Sequence, residues 1–165
     1  MKKILKKLTF DHLFWIIFIF GALIGNFIIL LIKDSKTYMQ PGAGFIEIFV
    51  NNFKVALLII VTGMLTNMIL PFLILLLNGI FWGMITAVNL QIIGLLSTLL
   101  FCIHVPFELL SFCYSFRLSA TIYQAIFYKK FKKRDFLKIF FWMLFLLTIA
   151  ASIEAGEFYF FRKSN

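Results

Sequence analysis

Long apolar segments with few or no charged residues are the feature of this sequence that most limits how the chain can fold. The run from Phe14 to Ile32 holds no charged side chain, and further apolar runs extend from Gly79 to Cys102 and from Phe107 to Phe127. A hydrocarbon core about 30 Å thick is crossed by roughly 20 apolar residues in a helix. Only 14% of the 165 residues are charged, against about 25% in a typical soluble domain. The chain is therefore predicted to be an integral membrane protein.

Helices are the predicted secondary structure of every span, which makes the fold all-α. Backbone N–H and C=O groups in lipid must be hydrogen-bonded within the segment, and runs such as 70–77 lack the alternation of a barrel strand. Five spans are predicted, near residues 14–32, 53–77, 79–101, 107–127 and 139–158. Together they are predicted to form a single polytopic membrane domain over residues 1–165, with no room for a folded soluble domain.

Sequence signals at the ends of the spans predict local structure. Phe45, Phe49 and Phe53 fall on one helical face, which favours a short interfacial helix before the second span. The alternative is that these residues form the first turns of that span. Pro71 is expected to kink the second span, and Asn78–Gly79 predicts a turn that joins spans two and three in a tight hairpin.

Two pairs of glycines have the spacing of a close helix–helix contact. Gly21 and Gly25 lie in the first span, and Gly79 and Gly83 lie in the third. Because glycine has no side chain, such pairs let the backbones of two helices come close together. The sequence leaves open whether these glycines pack within one chain or between copies in a homo-oligomer.

Basic residues determine the predicted orientation of the chain in a cell membrane. They cluster within residues 2–7 and again within residues 129–138, and Lys and Arg favour the cytoplasmic side. Four spans separate the two clusters, which places both on the same side. The N-terminus is therefore predicted to be cytoplasmic and the C-terminus to lie outside. We interpret the net charge of +9 as a topology signal that also attracts membrane lipid, and we expect no nucleic-acid partner.

Polar residues from three distant segments are predicted to meet in the outer leaflet. Asn51 and Asn52 precede the second span, His104 and Glu108 open the fourth, and Glu154 lies near the end of the fifth. A carboxylate at the centre of a membrane helix costs about 2.5–3.5 kcal/mol on insertion scales, so it is normally paired or functional. We predict that these five residues form a packed polar cluster that contacts a partner or substrate. The alternative is that His104 and Glu108 simply reach water at the membrane edge.

Arg117 is the predicted charge near the centre of the bilayer. It lies roughly 13 Å deeper than Glu108 at 1.5 Å per helical residue. Two interpretations are open. The guanidinium extends towards Glu108 or Glu154, or it lines a wet cavity with Asn67 and Asn89.

No enzyme motif accompanies these polar residues. The sequence has no H-E-x-x-H, no G-x-S-x-G and no glycine-rich phosphate loop. His12 and His104 are predicted to lie near opposite membrane faces, and the spacing of Cys102 and Cys113 matches no zinc or redox motif. We therefore expect a non-enzymatic protein without a cofactor and without a metal site.

Five short motifs follow one another in order near the predicted helix boundaries. They are Phe49-Val-Asn51-Asn52-Phe53, Gly63, Leu77-Asn78-Gly79 with Gly83, His104-Val-Pro-Phe-Glu108-Leu109, and Ala150-Ala151-Ser152-Ile153-Glu154-Ala155. With these motifs the chain resembles the stage II sporulation protein M family over most of its length. The resemblance carries over the asparagine pair, the asparagine-glycine turn and the two glutamates. The chain departs from the family at Val105-Pro106-Phe107, where members often have a glycine, and at Arg117.

The resemblance implies a non-enzymatic membrane accessory or interaction protein. A short member of this kind looks like an aid to peptide (bacteriocin) export or producer immunity, working with an ABC transporter and contacting a peptide ligand. One alternative is a small transporter or channel with a polar path lined by Asn67, Asn89, Glu108 and Arg117. The other is a sporulation-type scaffold that gathers cell-wall hydrolases.

A reporter that is active only outside the cytoplasm tests the predicted orientation. Joined after Asn165 it is expected to be active, because five spans carry the chain from a cytoplasmic N-terminus to the outside. Joined within residues 129–138 it is expected to be inactive. Reporter activity in cells carrying each fusion is the measurement, and the reverse pattern would contradict the topology.

Overall fold

The computed structural model describes residues 2–31, 44–66, 69–129 and 131–164, and the side chains between residues 12 and 159 within those ranges. The described residues form six helices and no strand: α1 Lys2–Leu31, α2 Phe45–Thr66, α3 Ile69–Ile92, α4 Gly94–Phe101, α5 Val105–Tyr128 and α6 Lys133–Ser164. Five segments are long and apolar enough to cross a membrane, with α4 and α5 counted as one. The predicted class, a multi-pass all-α membrane protein with five spans, is confirmed.

The helices expose large apolar side chains that a water-soluble protein would bury. Leu23 of α1 is 64% exposed, Leu65 of α2 is 77% exposed and Phe81 of α3 is 63% exposed. Contact with lipid tails suits such side chains, and the same apolar medium forces each backbone to satisfy its own hydrogen bonds as a helix. The exposed apolar side chains and the helical backbone therefore both fit a location in the membrane.

The boundary between the second and third helices differs from the prediction. α2 ends at Thr66, and α3 continues through Asn78 and Gly79. The predicted spans 53–77 and 79–101 are therefore wrong, and so is the predicted turn at Asn78–Gly79. An Asn-Gly pair usually indicates a turn in a soluble protein. Here the helix continues, because a turn in lipid would leave backbone groups without hydrogen-bond partners.

Pro71 lies in the first turn of α3 and does not kink the second span as expected. Proline is tolerated at this place because the first N–H groups of a helix have no helical partner to lose. Thr66 helps to start the helix, since its Oγ1 accepts a hydrogen bond of 3.2 Å from the N–H of Leu70. The proline therefore marks a helix start.

No separate interfacial helix precedes the second span within the described residues. Phe45, Phe49 and Phe53 belong to the first turns of α2, which is the alternative that the sequence left open. Their rings stack in succession, with centroids 6.1 and 6.0 Å apart. The shared aromatic face is therefore present, on one continuous helix.

Gly94 divides the predicted third span. Its φ of 76° lies in the left-handed region, which glycine adopts without a steric cost. α3 ends just before it, and the short helix α4 continues to Phe101. α5 then begins at Val105 and α6 at Lys133, each earlier than predicted.

α1 and the greater part of α3 form one compact unit, and glycines make their contact. A Cβ atom at Gly21 or at Gly79 would lie 2.5 Å from a carbonyl oxygen of the opposite helix. A Cβ at Gly25 or at Gly83 would overlap still more closely with backbone of the opposite helix, which for Gly83 is that of Ala22. The two glycine pairs therefore pack against each other within a single chain.

α2, α5 and α6 form the second compact unit, in which each helix contacts the other two. Large side chains fill its core: Ile59 of α2, Phe116 of α5 and Leu147 of α6 are each 0% exposed. Gly63 of α2 allows close approach, since a Cβ there would overlap with the hydroxyl of Ser119 on α5. The start of α5 lies beside the end of α6, so these two helices are antiparallel.

Replacing Gly83 by alanine is expected to destabilise the first unit by about 1–3 kcal/mol, because the new methyl group overlaps with backbone that cannot move aside. Thermal unfolding in mild detergent measures the effect. Gly156→Ala is the matched control, since a Cβ there would meet no described atom within 4 Å apart from its chain neighbours and the nearby backbone of its own helix, and alanine favours a helix by about 1 kcal/mol. Equal stability of the two variants would contradict the close contact.

Candidate functional site

His104 lies at the N-terminus of α5 and is only 3% exposed. Its carbonyl oxygen accepts hydrogen bonds from the N–H groups of Phe107 and Glu108, at 3.0 and 3.2 Å. Pro106 fits into this first turn because proline has no N–H to lose and its φ suits a helix start. The sequence His-Val-Pro-Phe-Glu is therefore the start of a helix, and the histidine ring packs inside the second unit.

Two glutamates of α6 face the ring of His104. Nδ1 lies 2.7 Å from Oε2 of Glu157, and Nε2 lies 3.8 Å from Oε2 of Glu154. The side chain of Glu157 is 9% exposed and that of Glu154 is 21% exposed. Residues three apart lie on the same face of a helix, which explains how both carboxylates reach one imidazole.

Glu108 completes this group from one turn further along α5. It is 8% exposed, and it interacts electrostatically with His104 and Glu154. The hydroxyl of Ser111 donates a hydrogen bond of 2.6 Å to the backbone carbonyl of Glu108. We call His104, Glu108, Glu154 and Glu157 the His104 cluster. It places three carboxyl groups around one imidazole where α5 begins and α6 ends.

Aromatic rings border the His104 cluster. The ring of Phe101 meets that of His104 edge to face with centroids 6.2 Å apart, and it meets Phe158 in the same way at 5.4 Å. Apolar neighbours of this kind exclude water and lower the local dielectric constant, which strengthens the interaction between the charges. The same surroundings make an unpaired charge costly, so a charged member of the cluster needs a partner close by.

The structure brings together three of the five residues predicted for the outer polar cluster, namely His104, Glu108 and Glu154. Both members on α5 are buried, as in the packed alternative. Asn52 is 7% exposed and its Nδ2 has no hydrogen-bond partner among the described residues, whereas Asn51 is exposed. No described hydrogen bond links either asparagine to the His104 cluster, so their place in it stays a prediction.

Glu157 is the residue that the sequence prediction omitted, although it makes the shortest contact with His104. The signal was present in its spacing of three from Glu154, which places both carboxylates on one helical face. Only the contact between α5 and α6 shows that it is buried.

Arg117 lies with its guanidinium 5.3 Å from the centre of the Tyr114 ring, in a cation–π arrangement one turn along α5. The residues of the predicted polar path do not all belong to one compact unit. Glu108 and Arg117 belong to the second unit, Asn89 belongs to the first, and Asn67 lies outside the described residues. The path and the wet cavity therefore stay predictions.

The side chains of the His104 cluster can bind protons and can form ion pairs. Imidazole and carboxyl groups take up and release protons. No group of three or more His, Cys, Asp or Glu side chains is arranged to hold a metal ion in the part of the chain that the structure describes. The cluster is a largely buried group of four titratable side chains.

The stage II sporulation protein M family model matches residues 12–156 of the chain. The chain belongs to the stage II sporulation protein M family. The resemblance predicted from the short motifs is thereby confirmed. Comparison with curated proteins and with solved structures gives no match. In this stage II sporulation protein M family member the match includes His104, Glu108 and Glu154, and it ends one residue before Glu157.

A double-mutant cycle tests the central contact. His104→Ala and Glu157→Ala are each expected to lower the free energy of unfolding, and together they should lose less than the sum, with a coupling of about 0.5–3 kcal/mol for residues in contact. Asp135→Ala is the control partner for His104→Ala. Asp135 lies 22 residues from Glu157 on the same helix, roughly 33 Å away at 1.5 Å per residue. Additive losses for the first pair would contradict the contact.

Proposed function

We propose that this protein is a non-enzymatic membrane accessory protein that works with an ABC transporter in peptide (bacteriocin) export or producer immunity. The observation that carries the proposal is the exposed basic segment between α5 and α6. It consists of Lys129, Lys132, Lys133, Arg134 and Lys138, all of them exposed. A segment of this kind suits an acidic surface on a cytoplasmic partner such as a transporter ATPase.

The charges of the basic segment are available to a partner. Among the described residues no carboxylate forms an ion pair with Lys129, Lys132, Lys133, Arg134 or Lys138. Asp135 is the one acidic residue within the segment. Attraction to anionic lipid accounts for part of this charge, and complementary charge on a protein adds specificity and speeds encounter.

The distribution of polar groups supports an interaction role over catalysis. The His104 cluster is buried between helices, and its shortest contact joins His104 to Glu157. The described residues outside the membrane-crossing segments are few. A chain built in this way has room to bind a partner through its lipid-facing and basic surfaces, and membership of the family agrees with a membrane-embedded role.

Affinity purification in mild detergent, followed by identification of the retained proteins, tests the proposal. The unmodified protein is expected to retain an ABC transporter ATPase. The variant Lys132→Gln, Lys133→Gln, Arg134→Gln is expected to retain roughly tenfold less, because three exposed ion pairs contribute about 0.5 kcal/mol each. The charge-preserving variant Lys132→Arg, Lys133→Arg is the matched control and should retain the normal amount.

The other outcomes separate the alternatives. Recovery of the protein alone under several gentle conditions would count against any accessory role. Retention of cell-wall hydrolases in place of an ATPase would favour the sporulation-type scaffold. The reporter fusion after Asn165 is repeated on the glutamine variant, so that an inverted topology is not mistaken for a lost partner.

A further inference from the structure

We propose that the His104 cluster is a proton-binding site, in which the ring of His104 carries a proton on both nitrogens and is held between Glu157 and Glu154. The proposal concerns the inside of the second unit and does not depend on the accessory function. It assigns a ligand, the proton, to a site between the start of α5 and the end of α6.

The geometry of the two ring nitrogens is the first argument. A neutral imidazole has one N–H donor and one lone pair, whereas the imidazolium has two donors. Both nitrogens of His104 face carboxylate oxygens, Glu157 at 2.7 Å and Glu154 at 3.8 Å. The first distance is that of a hydrogen bond and the second is that of an ion pair. Either neutral tautomer would turn a lone pair towards one of the two carboxylates, whereas the imidazolium presents an N–H group to each.

The balance of charge is the second argument. Glu108, Glu154 and Glu157 supply three carboxyl groups, and the ring of His104 contacts two of them. Burial makes an unbalanced negative charge costly. A proton on the ring offsets one of these negative charges, and the ring already lies between two of the carboxylates.

An unpartnered buried oxygen is the third argument. Oε1 of Glu157 is buried without a hydrogen-bond partner among the described residues, while Oε2 of the same carboxylate contacts His104. The side chain of Glu157 is 9% exposed. A buried carboxylate with one oxygen unsatisfied requires a positive neighbour or a proton, and His104 is the neighbour in place.

Other titratable groups lie near the site or on the neighbouring helix α2. Cys102, just before α5, interacts electrostatically with Glu157. From α2, which contacts both α5 and α6, the charged residues Glu47 and Lys54 are exposed. Glu154 is the most accessible member of the cluster, so it is the point at which a proton exchanges with the surroundings.

The proton connects the two helices. With the proton bound, α5 and α6 are joined through one cation and two carboxylates. When it leaves, three carboxyl groups remain beside a neutral ring whose lone pair faces one of them. The contact between the start of α5 and the end of α6 is therefore coupled to the protonation of His104.

Nuclear magnetic resonance of ¹⁵N-labelled histidine tests the proposal on the full chain in detergent. The protein has two histidines, and the variant His12→Gln leaves His104 as the source of every imidazole signal. At neutral pH both ring nitrogens are expected to give the signals of protonated nitrogen. Signals of a neutral ring, with one protonated and one bare nitrogen, would overturn the proposal.

Two further variants in the His12→Gln background show where the proton is held. Glu154→Gln removes the carboxylate that faces Nε2, and the ring is expected to lose one of its two protons at the same pH. Asp135→Asn removes a carboxylate from the far end of α6 and should leave both protons in place. An unchanged doubly protonated ring in the Glu154→Gln variant would overturn the assigned position between the two glutamates.

Discussion

The contact of His104 with the glutamates of α6 is the interaction on which the second unit depends. Placing carboxylates in an apolar membrane protein is unfavourable unless each is paired or protonated. Here one imidazole, that of His104 at the start of α5, contacts the carboxyl groups of Glu154 and Glu157 in the last turns of α6. The same contact fixes how far α5 and α6 can slide along each other, because a shift of one turn would separate the ring from both carboxylates.

The two compact units achieve close packing in different ways. In the first, glycines let the backbones of α1 and α3 approach until no side chain fits between them. In the second, large apolar side chains such as Phe116 and Leu147 fill the space between helices, and the His104 cluster adds specific polar contacts at one end. Lipid tails provide no hydrophobic force between helices, so close packing and polar contacts must supply the attraction. The first unit relies mainly on close backbone packing, and the second adds the polar contacts of the His104 cluster.

Charge in this protein is divided between a buried site and an exposed one. The carboxyl groups of the His104 cluster are largely enclosed beside the ring of His104, whereas the basic segment between α5 and α6 is exposed. The antiparallel course of the two helices places these features at opposite ends of the pair. The proposed proton site and the proposed partner surface therefore belong to the same two helices.

The sequence by itself determined the membrane location, the helical class, the number of spans and the family, because these depend on the length and order of apolar runs and on short motifs. It also placed His104, Glu108 and Glu154 together, since unsatisfied charge in lipid must find partners. Tertiary structure decided two points that local sequence signals did not predict correctly. Asn78–Gly79 stayed helical because lipid offers no partner to a broken backbone, and Glu157 joined His104 because α6 packs against the start of α5. Such outcomes depend on neighbours far away in the chain, which no local pattern encodes.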